Sequence, residues 1–212
     1  QKLNSIVYEV AEKEIWTKVL GQFGIIGVYI EKMLLRLCSR GRVITISKST
    51  QQELKHLGVE SVVVEPGVKF TTGGSLINQG STFDTLHYFI APRLISFGGI
   101  RPVKNIEDQL QAVSILKNDF PNIKLVITGK AAKSENEYKN KLTSLTKDLK
   151  IQEHVDFTGF ISEQELIEQI QKSTLAIGTS IKEGWGMTVS EAAILGTPSV
   201  CYPSKGYIDV LS

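Results

Sequence analysis

From Leu94 onward the chain alternates short, unbroken apolar runs with longer segments whose apolar residues recur every three or four positions, and few architectures accommodate that rhythm. Leu94 to Gly98, Lys124 to Thr128, a run around His154 to Phe157, Leu175 to Gly178 and Ser199 to Tyr202 read as strands. Between them, Ile106, Leu110, Val113 and Leu116 mark one helical face, and Tyr138, Leu142, Leu145 and Leu149 mark another. Ser162 with Glu165 forms a capping box opening the helix in ISEQELIEQIQK. Strands apolar on both faces, alternating with amphipathic helices, predict an α/β fold: a Rossmann-like parallel sheet covered by helices on both sides. Ligands of such sheets bind beyond the carboxyl ends of the strands. Four loops fall on that rim: Gly98 to Asn105, Gly129 to Ser134, Gly159 to Ser162, and Thr179 to Gly186.

The upstream third is less regular. Val43 to Ser47 reads as a strand, SKSTQQELKHLG as a helix with Ser49 or Thr50 as N-cap and Gly58 as its stop, and Ser61 to Val64 as a short strand. Pro66 to Gly80 is rich in glycine and polar residues and reads as a linker, which divides the chain into residues 1–68 and 69–212. Trp16 to Cys38 is the most apolar stretch, but Lys18, Gln22, Glu31 and Lys32 interrupt it, so it falls short of a membrane span. A buried or domain-interface helix is expected there, with docking on a membrane surface as the alternative. The chain opens on Gln1 with no signal peptide and reads as an excerpt of a longer protein.

The segment Glu183 to Glu191, EGWGMTVSE, carries the strongest chemical signal. Gly184 and Gly186 lack a Cβ, so a ligand could approach the peptide planes closely. A helix is predicted to start near Met187, and its unpaired N–H groups and positive dipole end favour phosphate. Glu183 before that helix and Glu191 one turn inside it supply acceptor-only oxygens suited to sugar hydroxyls. The pattern fits a ligand carrying both phosphates and a polyol; the alternative is a glycine-punctuated turn with two solvated glutamates. In SFGGIRPVKN, Arg101 and Lys104 precede a helix whose dipole repels cations. Either they hold an anion, or they pair with Glu107 and Asp108.

Other chemistries find little support. With 42% hydrophobic and 22% charged residues and a net charge of +2, the chain is neither disordered nor basic enough to imply nucleic acid. Two cysteines, Cys38 and Cys201, and three histidines, His56, His87 and His154, have no metal-ligand spacing, so reduced, buried thiols and no resident metal are expected. No D-x-D pair, Walker lysine or G-x-G-x-x-G occurs, which argues against a metal-held diphosphate, an NTPase or a dinucleotide oxidoreductase.

SIKEGWGMTVSEAAILGTPSV closely resembles the donor-site motif of the retaining glycosyltransferases of family four, typified by EGFGLVVLEAMACGTPVV, with Glu183, Gly184, Gly186, Glu191, Ala192, Gly196, Thr197 and Pro198 in common. SFGGIRPVKN is similar to the family's V-G-R-L-x-P-x-K-N segment. Lys104 falls on the family lysine that grips the donor diphosphate; Gly99 stands where the arginine stands, and Arg101 is the candidate to replace that guanidinium. VITGK resembles the family strand ending in a glycine loop, and FTGFISEQEL the segment whose backbone holds the nucleotide base. ITISKSTQQELKHLGVESVVVEPGV looks like the last strand, helix and strand of the family's N-terminal domain.

The resemblance implies a GT-B donor domain, truncated at both ends, with a remnant of its partner domain. It implies that Glu183 orients the sugar, that Lys104 and Arg101 stabilise the departing diphosphate, and that Glu191 holds the ribose. Amides from Gly184, Trp185, Gly186, Met187 and Thr188, with Gly98, Gly99, Gly129 and Lys130, would line the donor. Gly159, Phe160 and Ile161 would meet the base, with core packing the alternative for Phe160. A nucleoside-diphosphate hexose donor, an acceptor that is a glycan, lipid or small molecule, no metal, and a cytoplasmic location, free or on the inner membrane face, are the expectations that follow. A sugar-nucleotide epimerase of related fold and a non-catalytic nucleotide-sugar-binding module remain as alternatives.

Overall fold

The computed structural model describes residues 4–11, 13–38, 41–67, 90–131 and 136–211. The linker expected from Pro66 to Gly80 therefore lies, past Gly67, outside the described residues. By contact the chain forms two compact units: Gln1–Gly67 with Ile181–Met187 and Pro203–Ser212, and Val68–Ser180 with Thr188–Tyr202. The sequence division at 68/69 follows the chain instead and keeps the last two short segments with the second unit.

The second unit is built on a five-stranded parallel sheet. Its strands are β4 (Arg93–Ser96), β5 (Lys124–Thr128), β6 (Val155–Gly159), β7 (Leu175–Gly178) and β8 (Ser199–Cys201), in spatial order β6-β5-β4-β7-β8. The helices between them are α4 (Ile106–Leu116), α5 (Asn136–Asp148), α6 (Glu163–Gln171) and α7 (Met187–Ile194). Alternation along the strands assigns them to two faces. Leu94, Leu125 and Ile127 pack with Ile106, Leu110, Val113, Tyr138 and Leu142 of α4 and α5. Their neighbours Ile95 and Val126 point the other way, to Ile170 of α6 and Ala192 of α7. A sheet apolar on both sides is thus covered on both sides, as the unbroken runs require. The reversal of strand order between β4 and β7 brings the loops after these two strands together at the carboxyl rim. The capping box forms as expected: Ser162 Oγ accepts from Glu165 N at 3.2 Å, and Glu165 Oε2 accepts from Ser162 N at 2.8 Å.

The first unit carries a three-stranded parallel sheet of β1 (Asn4–Val7), β2 (Arg42–Thr45) and β3 (Val62–Val63), in that order. Strand β1 was not anticipated; its short SIV run offered too few residues to show a period. Helix α3 (Lys48–His56) is capped by Ser47, whose Oγ accepts from Thr50 N, not by Ser49 or Thr50. Ser47 has the extended backbone of a cap (φ −146°, ψ 158°) while its successors are already helical. Gly58 ends the turn in the left-handed region (φ +76°).

The apolar stretch from Trp16 folds as α1 (Lys13–Leu20), a 3-10 turn (Gly21–Phe23) and α2 (Gly24–Cys38). Glu31 ties them, accepting from Ala11 N at 2.8 Å and Trp16 Nε1 at 2.9 Å. A Cβ at Gly27 would lie 2.4 Å from the Trp16 ring, so this glycine sits where the two helices touch. The expectation of a buried helix needs correction: Leu35 is buried, but Ile26, Tyr29, Ile30, Met33 and Leu37 are each about half exposed or more. Among the described residues no helix is long and apolar enough to cross a membrane.

Candidate functional site

Four of the expected site residues meet at the carboxyl rim of the second unit's sheet. Gly98, two residues past β4, has φ +99°, a conformation open to glycine and strained for other residues. A Cβ there would lie 3.2 Å from Thr188 Cγ2 and 3.6 Å from Lys104 Nζ, so the ammonium and the first turn of α7 close over the same peptide. Lys104 ends a 3-10 turn, Pro102–Lys104, and is buried to 8% exposure. Glu191, one turn into α7, has its carboxyl pushed above the ordinary range by burial, while the nearby Lys104 ammonium pulls the other way. The Lys104 ammonium and Thr188 thus border the Gly98 backbone, and the desolvated Glu191 carboxylate lies within electrostatic reach of that ammonium.

The pairing alternative for the cations is not what the structure shows for the acids. Glu107 accepts from the Tyr138 hydroxyl and from Lys141 Nζ at 3.0 Å. Burial alone would raise its carboxyl, but these donors outweigh that and hold it below the ordinary value. Asp108 accepts from the Tyr202 hydroxyl at 2.7 Å and from Asn105 Nδ2. Arg101, at the start of the turn, is exposed where Lys104 is buried.

The next two loops lock onto the first. A Cβ at Gly129 would fall 2.6 Å from Gly99 N and Cα, so the two loops touch backbone to backbone. Ile100 N donates to Lys130 O at 3.2 Å, and Gly129 N to Gly159 O at 2.8 Å. Lys130 Nζ lies 4.4 Å from the centre of the Phe160 ring, and Phe160 is 69% exposed. Core packing therefore does not account for Phe160. Ile161 beside it is half-buried.

Glu183, Gly184, Trp185, Gly186 and Met187 belong to the first unit. A Cβ at Gly184 would lie 2.5 Å from Tyr8 O, and one at Gly186 (φ +77°) 2.6 Å from Tyr207 Cδ1. In the direction of the missing side chains these glycines admit Tyr8 and Tyr207. Around this segment Lys182 Nζ meets Glu53 at 3.2 Å and donates to Val10 O, and Lys205 Nζ meets Glu53 at 2.7 Å. These contacts join residues more than a hundred positions apart, which no local pattern signals. Cys201 is a half-buried free thiol whose pKa burial raises; the Cys38 side chain lies outside the described residues. Among the described residues no group of three or more His, Cys, Asp or Glu could hold a metal.

Residues 90–212, more than half of the chain, match the family described as glycosyl transferases group 1. The mouse GDP-Man:Man(3)GlcNAc(2)-PP-Dol alpha-1,2-mannosyltransferase is 33% identical over 119 residues, which cover 53% of this chain and 24% of that protein. The alpha-monoglucosyldiacylglycerol synthase of Streptococcus pneumoniae (strain ATCC BAA-255 / R6) is 30% identical over 109 residues, 51% of this chain and 24% of that protein. The matched stretch thus spans about a quarter of these relatives' length. The crystal structure of Anabaena Alr3699/HepE in complex with UDP-glucose superposes on 98% of this chain and 55% of its own, with a TM-score of 0.76 at 20% identity. At that identity the likeness shows a shared fold.

Proposed function

The chain belongs to the glycosyl transferases group 1 family, and from that premise we propose that it binds a nucleoside-diphosphate sugar as the donor part of a retaining hexosyltransferase. The observation that carries the reading is the convergence of the buried Lys104 ammonium, the Gly98 peptide, Thr188 and the desolvated Glu191 carboxylate.

A departing diphosphate gathers negative charge as the glycosidic bond breaks. A preplaced cation in a water-poor recess stabilises that charge more than it stabilises the ground state. Lys104, buried on this loop, takes that role, and Arg101, exposed at the start of the same turn, is the second cation. Glu191 accepts from the ribose hydroxyls, and amides at the start of α7 from Met187 and Thr188 take sugar or phosphate oxygens. Phe160, with Lys130 over its ring, and Ile161 meet the base. Glu183 orients the hexose, with Gly184, Trp185 and Gly186 shaping its loop. In this scheme the cations and amides do the work a divalent metal would do. The Anabaena structure holds UDP-glucose and the mouse relative is named for GDP-Man, which supports a nucleoside-diphosphate hexose as donor class. The acceptor is a glycan, lipid or small molecule; a lipid acceptor, as in the names of the mouse and Streptococcus pneumoniae relatives, would bring the protein to the cytoplasmic face of a membrane.

Titration calorimetry with UDP and GDP in the presence of EDTA tests the reading. Binding of one of them without divalent metal is expected. Glu191→Ala should weaken that binding, and Glu183→Ala, whose partner is the sugar, should leave it nearly unchanged. Loss of all binding on chelation would refute the metal-free scheme.

A further inference from the structure

A buried polar relay runs behind Lys104. Thr179, the first residue after β7, is 6% exposed, and its Oγ1 lies 2.8 Å from Lys104 O and 3.0 Å from Asn105 O. The hydroxyl proton is shared between these two carbonyls, and the oxygen accepts from Gln109 Nε2 at 2.7 Å. Gln109, on α4, is 2% exposed, and its Oε1 has no hydrogen-bond partner among the described residues. An unpaired buried carbonyl is costly, and an apolar side chain would avoid the cost. What the amide does in return is hold the Thr179 hydroxyl in the one orientation that reaches both carbonyls.

Those carbonyls flank a bend that needs holding. Asn105 has φ +49°, a left-handed backbone uncommon for a residue with a side chain, and it separates the 3-10 turn of Lys104 from α4. Such a conformation persists where the surroundings over-determine it. Thr179 supplies that from the neighbouring strand, because β7 pairs with β4 and so ends beside the loop that carries Lys104.

We propose that Thr179 is a positioning residue for the reaction: with Gln109 behind it, its hydroxyl fixes the two peptides on either side of Asn105 and so aims the Lys104 ammonium at the donor diphosphate. The inference rests on the donor-site reading and adds a residue to it.

Diphosphate affinity relative to the matching nucleoside isolates the Lys104 contribution. UDP and GDP are titrated against uridine and guanosine into the 212-residue chain and its variants. Thr179→Val, which keeps the shape and removes the hydroxyl, is expected to cut the diphosphate advantage about tenfold, the weight of one hydrogen bond to a charged group. Nucleoside affinity should hold, and Thr179→Ser should restore the advantage. Gln109→Met, which removes the amide donor and leaves the hydroxyl in place, should show a smaller loss in the same direction. It decides the matter if Thr179→Val does not fold. An undiminished diphosphate advantage in Thr179→Val, or in Gln109→Met where only that variant folds, overturns the proposal. So does a parallel loss of nucleoside affinity, or a Thr179→Ser variant as impaired as the valine. A wild-type chain with no preference for diphosphate over nucleoside defeats the donor-site reading itself, an outcome separable from the others because it precedes any substitution.

Discussion

Lys104 is a cation kept out of water beside a carboxylate that burial has made reluctant to ionise, and its charge offsets part of that reluctance. Removing Lys104 should therefore be felt twice. Lys104→Ala should weaken UDP or GDP binding by about 10- to 100-fold, as for a lost charge-assisted hydrogen bond, with nucleoside binding less affected. It should also leave Glu191 harder to ionise. The sign of the pH dependence follows from the raised value. The ribose hydroxyls donate to the charged carboxylate, so nucleotide affinity should fall as pH drops through a midpoint above the ordinary 4.5, and that acid limb should move higher still in Lys104→Ala. Stability runs the other way: the folded chain binds the Glu191 proton more tightly than the unfolded chain, so this group's contribution is present below 4.5 and is lost as pH rises through the raised value. Calorimetric titrations from pH 4.5 to 8 check the first trend, and a Glu191→Gln variant with a flat acid limb identifies the group. The lysine was legible because it sits at a fixed distance before an amphipathic helix. The choice between anion binding and pairing with Glu107 or Asp108 was not legible locally, because their partners Tyr138, Lys141 and Tyr202 come from other elements.

Strands β5 and β7 were readable to within a residue or two, because a strand covered on both faces leaves the sequence little choice. The capping box at Ser162 was equally readable, since both of its hydrogen bonds are local. Ser162→Ala should destabilise the unit by about 1 kcal/mol in urea unfolding with nucleotide affinity unchanged. Loop contacts between strands were not readable in this way. Gly129 has φ +126° and would drive a Cβ into the Gly99 backbone at 2.6 Å. Gly129→Ala should therefore cost on the order of 3 kcal/mol, more than the cap, and should weaken nucleotide binding as well, because it pushes the Gly98 loop away from its neighbour. A Gly129→Ala chain as stable as wild type would show that the contact between these loops yields easily.

At the scale of the whole chain, what the sequence conveyed least was which segments cluster together. Ile181–Met187 and Pro203–Ser212 join Gln1–Gly67 through contacts such as Lys182 and Lys205 with Glu53, and Ser49 N with Asp209 Oδ2 at 3.1 Å. The exposure of α2 was equally hidden, because its composition alone reads as core. Binding and transfer make different demands on such a molecule. Holding a nucleotide needs the residues gathered around Gly98, whereas transfer also needs an acceptor held in line and water kept out. The family match accounts for residues 90–212, and the stretch shared with the mouse relative covers about a quarter of that protein, 24%. The 212-residue chain should then bind UDP or GDP, gaining about 2.7 kcal/mol of stability at a ligand concentration a hundred times Kd, yet transfer little sugar. Thermal shift with and without nucleotide, alongside an assay following labelled UDP-glucose and GDP-mannose with a diacylglycerol acceptor, separates the two demands. Stabilisation without turnover is the expected result, and sustained transfer by this chain alone would mean that its own residues also assemble the acceptor site.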